Sequence, residues 1–332
     1  MPQAASFSNQ VRKAQAKKAA RIQARRKVGA LSQHLVKPKT HIRYGASFKE
    51  FLQYHHLRPE FKIEDYEEFD QKVGEFLEVF WETGRSKSEA SYALASLQFF
   101  RPLLKHRLSY SWKLLKAWNK LELPLRAFPM SPSMAASFAG LFQQWNEDRA
   151  AWLTLVGFSL FLRTGELLNL CRKDVLFGKV GTKTVVFVQD SKGAQRSDQH
   201  VDKLLVFEQT ADLALRELCK NLRPSEPLWP HSSQQFRNLW HKAVDYFQLH
   251  HYHVIPYSMR RGGATSSYKN GVTLDQLLIR GRWKSISTAR IYLDEALMEL
   301  GQTTFSSKSV VLLNKHHANF QRSVSQVGKR GR

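Results

Sequence analysis

Apolar side chains recur every three or four residues through the first third of the chain, which is the spacing of one helical face. Phe76 and Phe80 follow this spacing, and Leu94 and Leu97 repeat it further along. The pattern extends over residues 41–122 and predicts a small domain built entirely of helices.

The helical pattern is interrupted by residues 123–132, which contain Pro124, Pro129 and Pro132. Proline lacks a backbone donor and opposes helix, so this stretch predicts a linker between two domains. We place the second domain at residues 128–300.

The second domain begins with helical periodicity over 151–170 and then changes to the alternation that is typical of strands. Residues 184–188 and 200–207 flank a polar segment, so they predict an antiparallel hairpin. Further helices are predicted over 210–221, 232–248, 258–270, 273–280 and 285–300. The expected fold class is therefore mainly α with a small antiparallel β-sheet.

The net charge is +23, and most of it lies near the two ends of the sequence. Residues 1–46 contain eleven Lys or Arg and no acid, and residues 301–332 contain six and no acid. We interpret 1–40 as a basic disordered tail and 301–332 as a basic C-terminal tail, and both would attract nucleic-acid phosphates. Clusters near Lys17 and Lys329 also suit a nuclear-import signal, so the expected location is nuclear or otherwise intracellular.

Composition excludes several classes of protein. Cys171 and Cys219 are the only cysteines, which is too few for a disulfide framework or a cysteine-based zinc site. No apolar run approaches the roughly 18 residues of a transmembrane helix, so we expect no membrane partner. Hydrophobic residues make up 42% of the chain, which is enough to fill two cores.

Breaking a phosphodiester without a metal requires cations at the non-bridging oxygens, a nucleophile in line and an acid for the leaving oxygen. Arginine suits the first role because its planar fork binds phosphate through two hydrogen bonds. Arg163 is a candidate because it lies in the otherwise apolar run 155–170. An ion pair with Glu166, one helical turn on, would also explain why an arginine lies in this apolar run.

Further candidates lie in three short boxes downstream. They are Tyr-Ser-Met-Arg-Arg-Gly-Gly at 257–263, Gly-Arg-Trp-Lys at 281–284 and Ala-Arg-Ile-Tyr at 289–292. An Arg-Thr-Gly-Glu-Leu segment at 163–167 and a lysine in the predicted hairpin turn precede these boxes. In the order of its motifs, the chain resembles the tyrosine recombinase (phage integrase) family. The resemblance covers residues 128–300 and suggests a eukaryotic mobile-element-like member.

The family motif has five elements, and each finds a place in this chain. They are an Arg before Glu-Leu, a hairpin Lys, an Arg ending a His-x-x-Arg box, a His or Trp after Gly-x, and a Tyr nine residues later. The corresponding residues here are Arg163, Lys192, Arg260, Trp283 and Tyr292.

The resemblance implies a helical core-binding domain followed by a DNA breaking-rejoining catalytic domain. It implies that Tyr292 attacks the scissile phosphate and forms a 3′-phosphotyrosyl bond, while Arg163 and Arg260 clamp the non-bridging oxygens. Lys192 would protonate the leaving 5′ oxygen, and Trp283 would pack behind the phosphate. No metal or cofactor enters this scheme.

One departure concerns Tyr257, which stands where the family usually has His. A phenol has a pKa near 10, against about 6.5 for imidazole, so Tyr257 would be a poor base at neutral pH. It could instead bind the phosphate, orient Tyr292, rival it as nucleophile or merely fill space.

The expected partner is double-stranded DNA, and the resemblance implies a homotetramer when two duplexes are synapsed. Arg261 lies about 100° round its helix from Arg260, so it would touch flanking DNA backbone or a carboxylate. Additional cations near the boxes are expected to contact DNA, and the full set is Arg196, Arg261, Arg282 and Lys284.

Two other functions remain open from the sequence. A type IB topoisomerase-like enzyme would use the same Arg, Lys and Tyr chemistry to relax supercoils without exchanging strands. A catalytically silent DNA-binding protein derived from a mobile element would keep the fold without the reaction, and Tyr257 leaves room for it.

Overall fold

The computed structural model describes residues 17–179, 182–189 and 201–330. The chain divides into two compact units, Met1–Pro124 and Leu125–Arg332. The fold is mainly helical with one small antiparallel sheet, which confirms the predicted fold class. Within the described ranges, no helix combines the length and the apolar character needed to cross a membrane.

The first unit has four principal helices, as the apolar spacing predicted. Their buried faces share one core that includes Phe51, Phe76 and Leu94. Side chains fix two of the helix starts, because Asp65 accepts two backbone N–H groups and Ser86 forms a capping box. The helices are α1 (Pro38–Tyr54), α2 (Tyr66–Glu82), α3 (Lys87–Phe100) and α4 (Ser109–Leu121).

Residues 17–28 are helical, with every side chain exposed, so the prediction of a disordered tail over 1–40 is wrong for this part. The stretch consists largely of Ala, Gln, Lys and Arg, which are strong helix formers. It presents six Lys or Arg and no acid to solvent.

The second unit contains ten helices of at least five residues within its described part, and three strands. Its main core joins Phe138, Phe142 and Trp240 with the buried face of the sheet. The helices are α5 (Pro132–Gln144), α6 (Asp148–Ser159), α7 (Thr164–Leu168), α8 (Gln209–Cys219), α9 (Ser233–Tyr246), α10 (Ser258–Lys269), α11 (Leu274–Gly281), α12 (Ile286–Arg290), α13 (Glu295–Thr304) and α14 (Ser307–Arg330).

The sheet has the order β1-β2-β3 and is antiparallel throughout. Strands β2 (Val185–Gln189) and β3 (Val201–Leu205) form the predicted hairpin, with Val186 opposite Leu204. Strand β1 (Val175–Leu176) was not predicted, because two residues are too few to show a period.

The predicted helix over 151–170 ends at Ser159. Phe161 adopts a left-handed conformation with φ of 49°, and the chain turns before α7 begins. Arg163 therefore stands in extended conformation at the start of α7, rather than inside a long helix.

The predicted helix over 285–300 is also two helices, α12 and α13. Asp294 separates them, because its side chain accepts the backbone N–H of Leu297 and begins α13. Tyr292 thus lies in the turn between two helices, where its side chain is only half-buried.

The interpretation of 301–332 as a basic tail is wrong, because α14 packs against α5. Leu313, His316 and Phe320 are buried along one face of α14, while its basic residues lie elsewhere. The backbones approach closely, since Ser137 donates to the carbonyl of Leu313 at 2.7 Å.

Gly140 tests this close packing. A Cβ at Gly140 would overlap the carbonyl of His316 and press on Phe320, so Gly140→Ala should lower the free energy of unfolding by about 1–3 kcal/mol. Urea unfolding and amide exchange of α5 and α14 peptides would measure this. Gly165→Ala is the matched control, because nothing lies within 4 Å of the added Cβ. Equal stability of the two variants would contradict the packing.

Candidate active site

Tyr292 lies in a small satellite core beside the main one. Its ring packs on that of Trp283, with 4.6 Å between centroids and 31° between planes. Its carbonyl accepts the hydroxyl of Thr265 at 2.9 Å, which ties the turn to α10. Gly281 makes room for the Trp283 ring, which any Cβ there would overlap.

The hydroxyl of Tyr257 lies 2.6 Å from that of Tyr292. Burial and the hydrogen bond to Tyr292 raise the pKa of Tyr257 above its usual value. Burial alone would also raise the pKa of Tyr292, but the Tyr257 hydrogen bond and the charges of Arg260 and Arg163 outweigh it and lower that pKa. The 2.6 Å separation fits either hydroxyl as the donor, and we infer from the directions of the two pKa shifts that Tyr257 donates to Tyr292.

Arg260 is fully buried behind the two phenols. Its terminal nitrogens donate to the carbonyls of Phe161 and, at 2.6 Å, Gly281. Its guanidinium carbon is 5.1 Å from the Trp283 ring centroid and 5.2 Å from that of Tyr292. Burial and the neighbouring charges of Arg163 and Arg282 lower the pKa of Arg260 to about 10.

Among the described residues, no carboxylate pairs with Arg260. Its charge is thus free to act on the Tyr292 oxygen. Each terminal nitrogen donates one hydrogen bond to a protein carbonyl, and the grip of Arg260 on phosphate that the resemblance implied stays a prediction.

Arg163 is the more accessible guanidinium, with a quarter of its side chain exposed. Its backbone N–H and one terminal nitrogen donate to the two oxygens of Glu166, at 2.9 and 2.6 Å. Burial would raise the pKa of Glu166, but the charge of Arg282 and the bonds from Arg163 lower it. Glu166 therefore stays ionised and orients Arg163.

Two of the cations expected to contact DNA have internal partners instead. Arg261 is buried and donates to the carbonyl of Ala127 at 2.6 Å and to Asp294 at 2.7 Å. Arg282 is buried against Glu166. The DNA contact expected of Arg282 is corrected, because its side chain is buried. Of the two contacts expected for Arg261, the structure shows the one with a carboxylate. Lys284 is exposed, and its contact with DNA stays a prediction.

Lys192 and Arg196 lie outside the described residues, so their proposed roles stay predictions. Strands β2 and β3, which precede and follow that segment, are described and paired. In the described part of the chain, no group of three or more His, Cys, Asp or Glu side chains could hold a metal ion.

Sequence reasoning missed how Phe161 contributes to this site. Its carbonyl accepts hydrogen bonds from both Arg260 and Arg282, and its left-handed backbone turns that carbonyl inward. Thr265, which holds the Tyr292 turn, was missed as well. No residue-type signal marks either role, because one depends on backbone conformation and the other on a tertiary contact.

Comparisons with solved structures recover the same architecture. A structure of the Tn1549 transposon integrase in complex with transposon right-end DNA matches with a TM-score of 0.57 and 14% identity, covering 82% of this chain and 95% of that one. A lambda integrase dimer bound to a COC′ core site matches with a TM-score of 0.56 and 15% identity, covering 80% of this chain and 92% of that one. The chain shares the fold of these integrases.

The fold that the sequence motifs implied is thereby confirmed. No family model matches the sequence, and no curated protein does. The likeness is one of structure at low identity, so it establishes the fold, and the chemistry depends on this chain's own residues.

The phenol pair gives a spectroscopic prediction. The difference in tyrosinate absorbance between the wild type and Tyr292→Phe should titrate below the ordinary phenol pKa of about 10. In a Tyr257→Phe background, the same difference should move to higher pH, because the donor that stabilises the phenolate is gone. Tyr268→Phe, an exposed tyrosine outside the site, controls for losing one phenol. An unchanged titration without Tyr257 would contradict the assigned donor.

Proposed function

We propose that this chain cuts and rejoins duplex DNA through a covalent bond between a DNA phosphate and Tyr292. The observation that carries the proposal is the surroundings of the Tyr292 hydroxyl. A half-buried phenol with a lowered pKa is placed beside two guanidiniums and a stacked indole. Such an oxygen is an activated nucleophile in an anion-attracting setting.

In the first step, the Tyr292 oxygen attacks phosphorus and the bond to the 5′ oxygen breaks. The 3′ phosphate remains on Tyr292, and the leaving 5′ oxygen takes up a proton. Reversal of this step by a 5′ hydroxyl rejoins the strand, so no nucleotide energy source is required. The ester bond is conserved throughout.

Tyr257 is not the base in this scheme, because its raised pKa keeps the phenol protonated at neutral pH. It donates to the Tyr292 oxygen at 2.6 Å and so favours the phenolate. The Tyr292 proton would then pass to solvent before attack, rather than to a neighbouring side chain.

The arginines have different tasks. Arg163, oriented by Glu166 and partly exposed, would contact the non-bridging oxygens. Arg260 would stabilise the phenolate and the growing negative charge from behind, since its guanidinium is buried near the Tyr292 ring.

DNA as the partner is supported by the fold and by charge. The structures of the Tn1549 and lambda integrases, which share this fold, are both complexes with DNA. In this chain, residues 17–28 expose six cations with no acid among them, which would bind phosphates without reading sequence. A homotetramer on two synapsed duplexes and a nuclear location are further parts of the proposal.

A nicked suicide substrate tests the nucleophile, because a short fragment diffuses away after cleavage and leaves the protein attached to DNA. The wild type should form a covalent adduct that resists denaturation, and Tyr292→Phe should form none, since its side chain has no oxygen to attack phosphorus. Denaturing gels and peptide mapping of the adduct are the measurements.

Tyr257→Phe is the matched control, since it removes the neighbouring phenol and should still form the adduct, more slowly. If the adduct is lost in Tyr257→Phe and still forms in Tyr292→Phe, then the nucleophile is Tyr257 and the assignment of Tyr292 is wrong. Complete absence of an adduct in the wild type would favour a silent DNA-binding protein. Plasmid relaxation without strand exchange would favour a topoisomerase-like enzyme.

Lys192 is proposed as the acid for the leaving oxygen. Lys192→Ala should slow cleavage of ordinary DNA by roughly a hundredfold or more, which is the usual worth of general acid catalysis. A substrate whose 5′ bridging oxygen is replaced by sulfur needs no proton on departure, so its cleavage should be nearly unchanged. Arg196→Ala, in the same segment, is the control. Equal slowing of both substrates by Lys192→Ala would contradict the assignment.

A further inference from the structure

Arg282 has an unusual backbone conformation at the end of α11. Its φ of 56° and ψ of 44° lie in the left-handed region, which residues with a Cβ seldom occupy. Glycine would adopt this conformation without strain, so replacing Arg282 by glycine removes the side chain at little cost to the backbone.

The Arg282 side chain turns inward and is only 6% exposed. One terminal nitrogen donates to Glu166 at 2.9 Å and lies 3.3 Å from the carbonyl of Phe161. The other lies 3.7 Å from a carboxylate oxygen of Asp202 on β3. A single guanidinium therefore links the end of α11 to α7, to the turn before it and to the sheet.

Glu166 is shared between two arginines. Its side chain is 8% exposed, and one oxygen meets the Arg163 guanidinium while the other meets the Arg163 backbone and Arg282. A buried carboxylate needs a compensating charge. Without Arg282, that charge would have to come from Arg163 alone, which would then be drawn towards Glu166 and away from a phosphate.

We propose that Arg282 is a positioning residue that fixes Glu166 and thereby holds the Arg163 guanidinium in place for a DNA phosphate. The proposal rests on the proposed function of Tyr292 and adds a residue that touches no reacting atom. Arg282 neutralises Glu166 at the oxygen that the Arg163 guanidinium does not contact, so the Arg163 charge remains available to substrate.

Arg282→Gly is the decisive variant, because it removes the guanidinium and suits the left-handed backbone. Single-turnover cleavage of a saturating suicide substrate should slow by about tenfold to a hundredfold, as displaced catalytic groups usually cause. The dissociation constant for DNA should stay within about twofold, because a buried cation contributes little to phosphate contact. This division between rate and affinity separates positioning from general DNA binding.

Arg280→Gln is the matched control. Arg280 lies in the same helix, and its guanidinium faces the carbonyl of Ser159 and the carboxylate of Glu208 instead of Glu166. Its cleavage rate should stay within about twofold of the wild type. An equal loss in both variants would overturn the proposal, because any lost charge in this helix would then suffice.

Chemical rescue supplies a readout that a merely structural role would not give. Free guanidinium should refill the space left by Arg282→Gly and restore part of the cleavage rate, whereas urea at equal concentration should not. If Arg282→Gly does not fold, Arg282→Lys keeps the charge but cannot span Glu166 and Asp202 together. We then expect a slower rate at unchanged DNA affinity, and a wild-type rate would overturn the proposal.

The suicide-substrate assay distinguishes failure of the proposed function from failure of the role proposed for Arg282. A wild-type protein that forms no adduct would end the proposed function. An adduct in the wild type together with wild-type rates in Arg282→Gly would end only the role of Arg282.

Discussion

The site depends on how one buried cation, Arg260, is accommodated. Burying a guanidinium without a carboxylate is costly, and its stabilisation here comes from two carbonyls and two aromatic faces. The carbonyls belong to Phe161 and Gly281, which lie in separate parts of the chain. The interaction that stabilises the charge therefore also brings the nucleophile, the stacked indole and the turn before α7 together.

Two of the helix ends in this chain also place functional groups in the site. Phe161 and Arg282 both end their helices in left-handed conformations, which cost of order 1–3 kcal/mol each for residues with side chains. Each conformation turns a functional group inward, the carbonyl of Phe161 and the guanidinium of Arg282. The packing of α6, α10 and α11 in the second unit supports that strain.

The sequence predicted the elements whose pattern is local and missed those that depend on tertiary contacts. The helices of the first unit follow from apolar spacing, and the nine residues from Trp283 to Tyr292 suffice for a turn that stacks the two rings. The break at Phe161 was missed, because the apolar period continues through it. For Arg261 the sequence left flanking DNA backbone and a carboxylate open, because it does not reveal which cation already has a carboxylate, here Asp294.

The two-phenol pair changes how the proposed nucleophile can be activated. An imidazole could accept the proton of Tyr292, but the Tyr257 phenol, whose raised pKa keeps it protonated at neutral pH, cannot take up that proton. Activation must then come from the Tyr257 hydrogen bond and from the charges of Arg260 and Arg163, which lower the pKa of Tyr292. Arg260 nevertheless remains protonated, because its pKa of about 10 lies well above neutral pH. The positive charge of Arg163 disfavours the neighbouring Arg260 cation and, for the same reason, favours the Tyr292 phenolate.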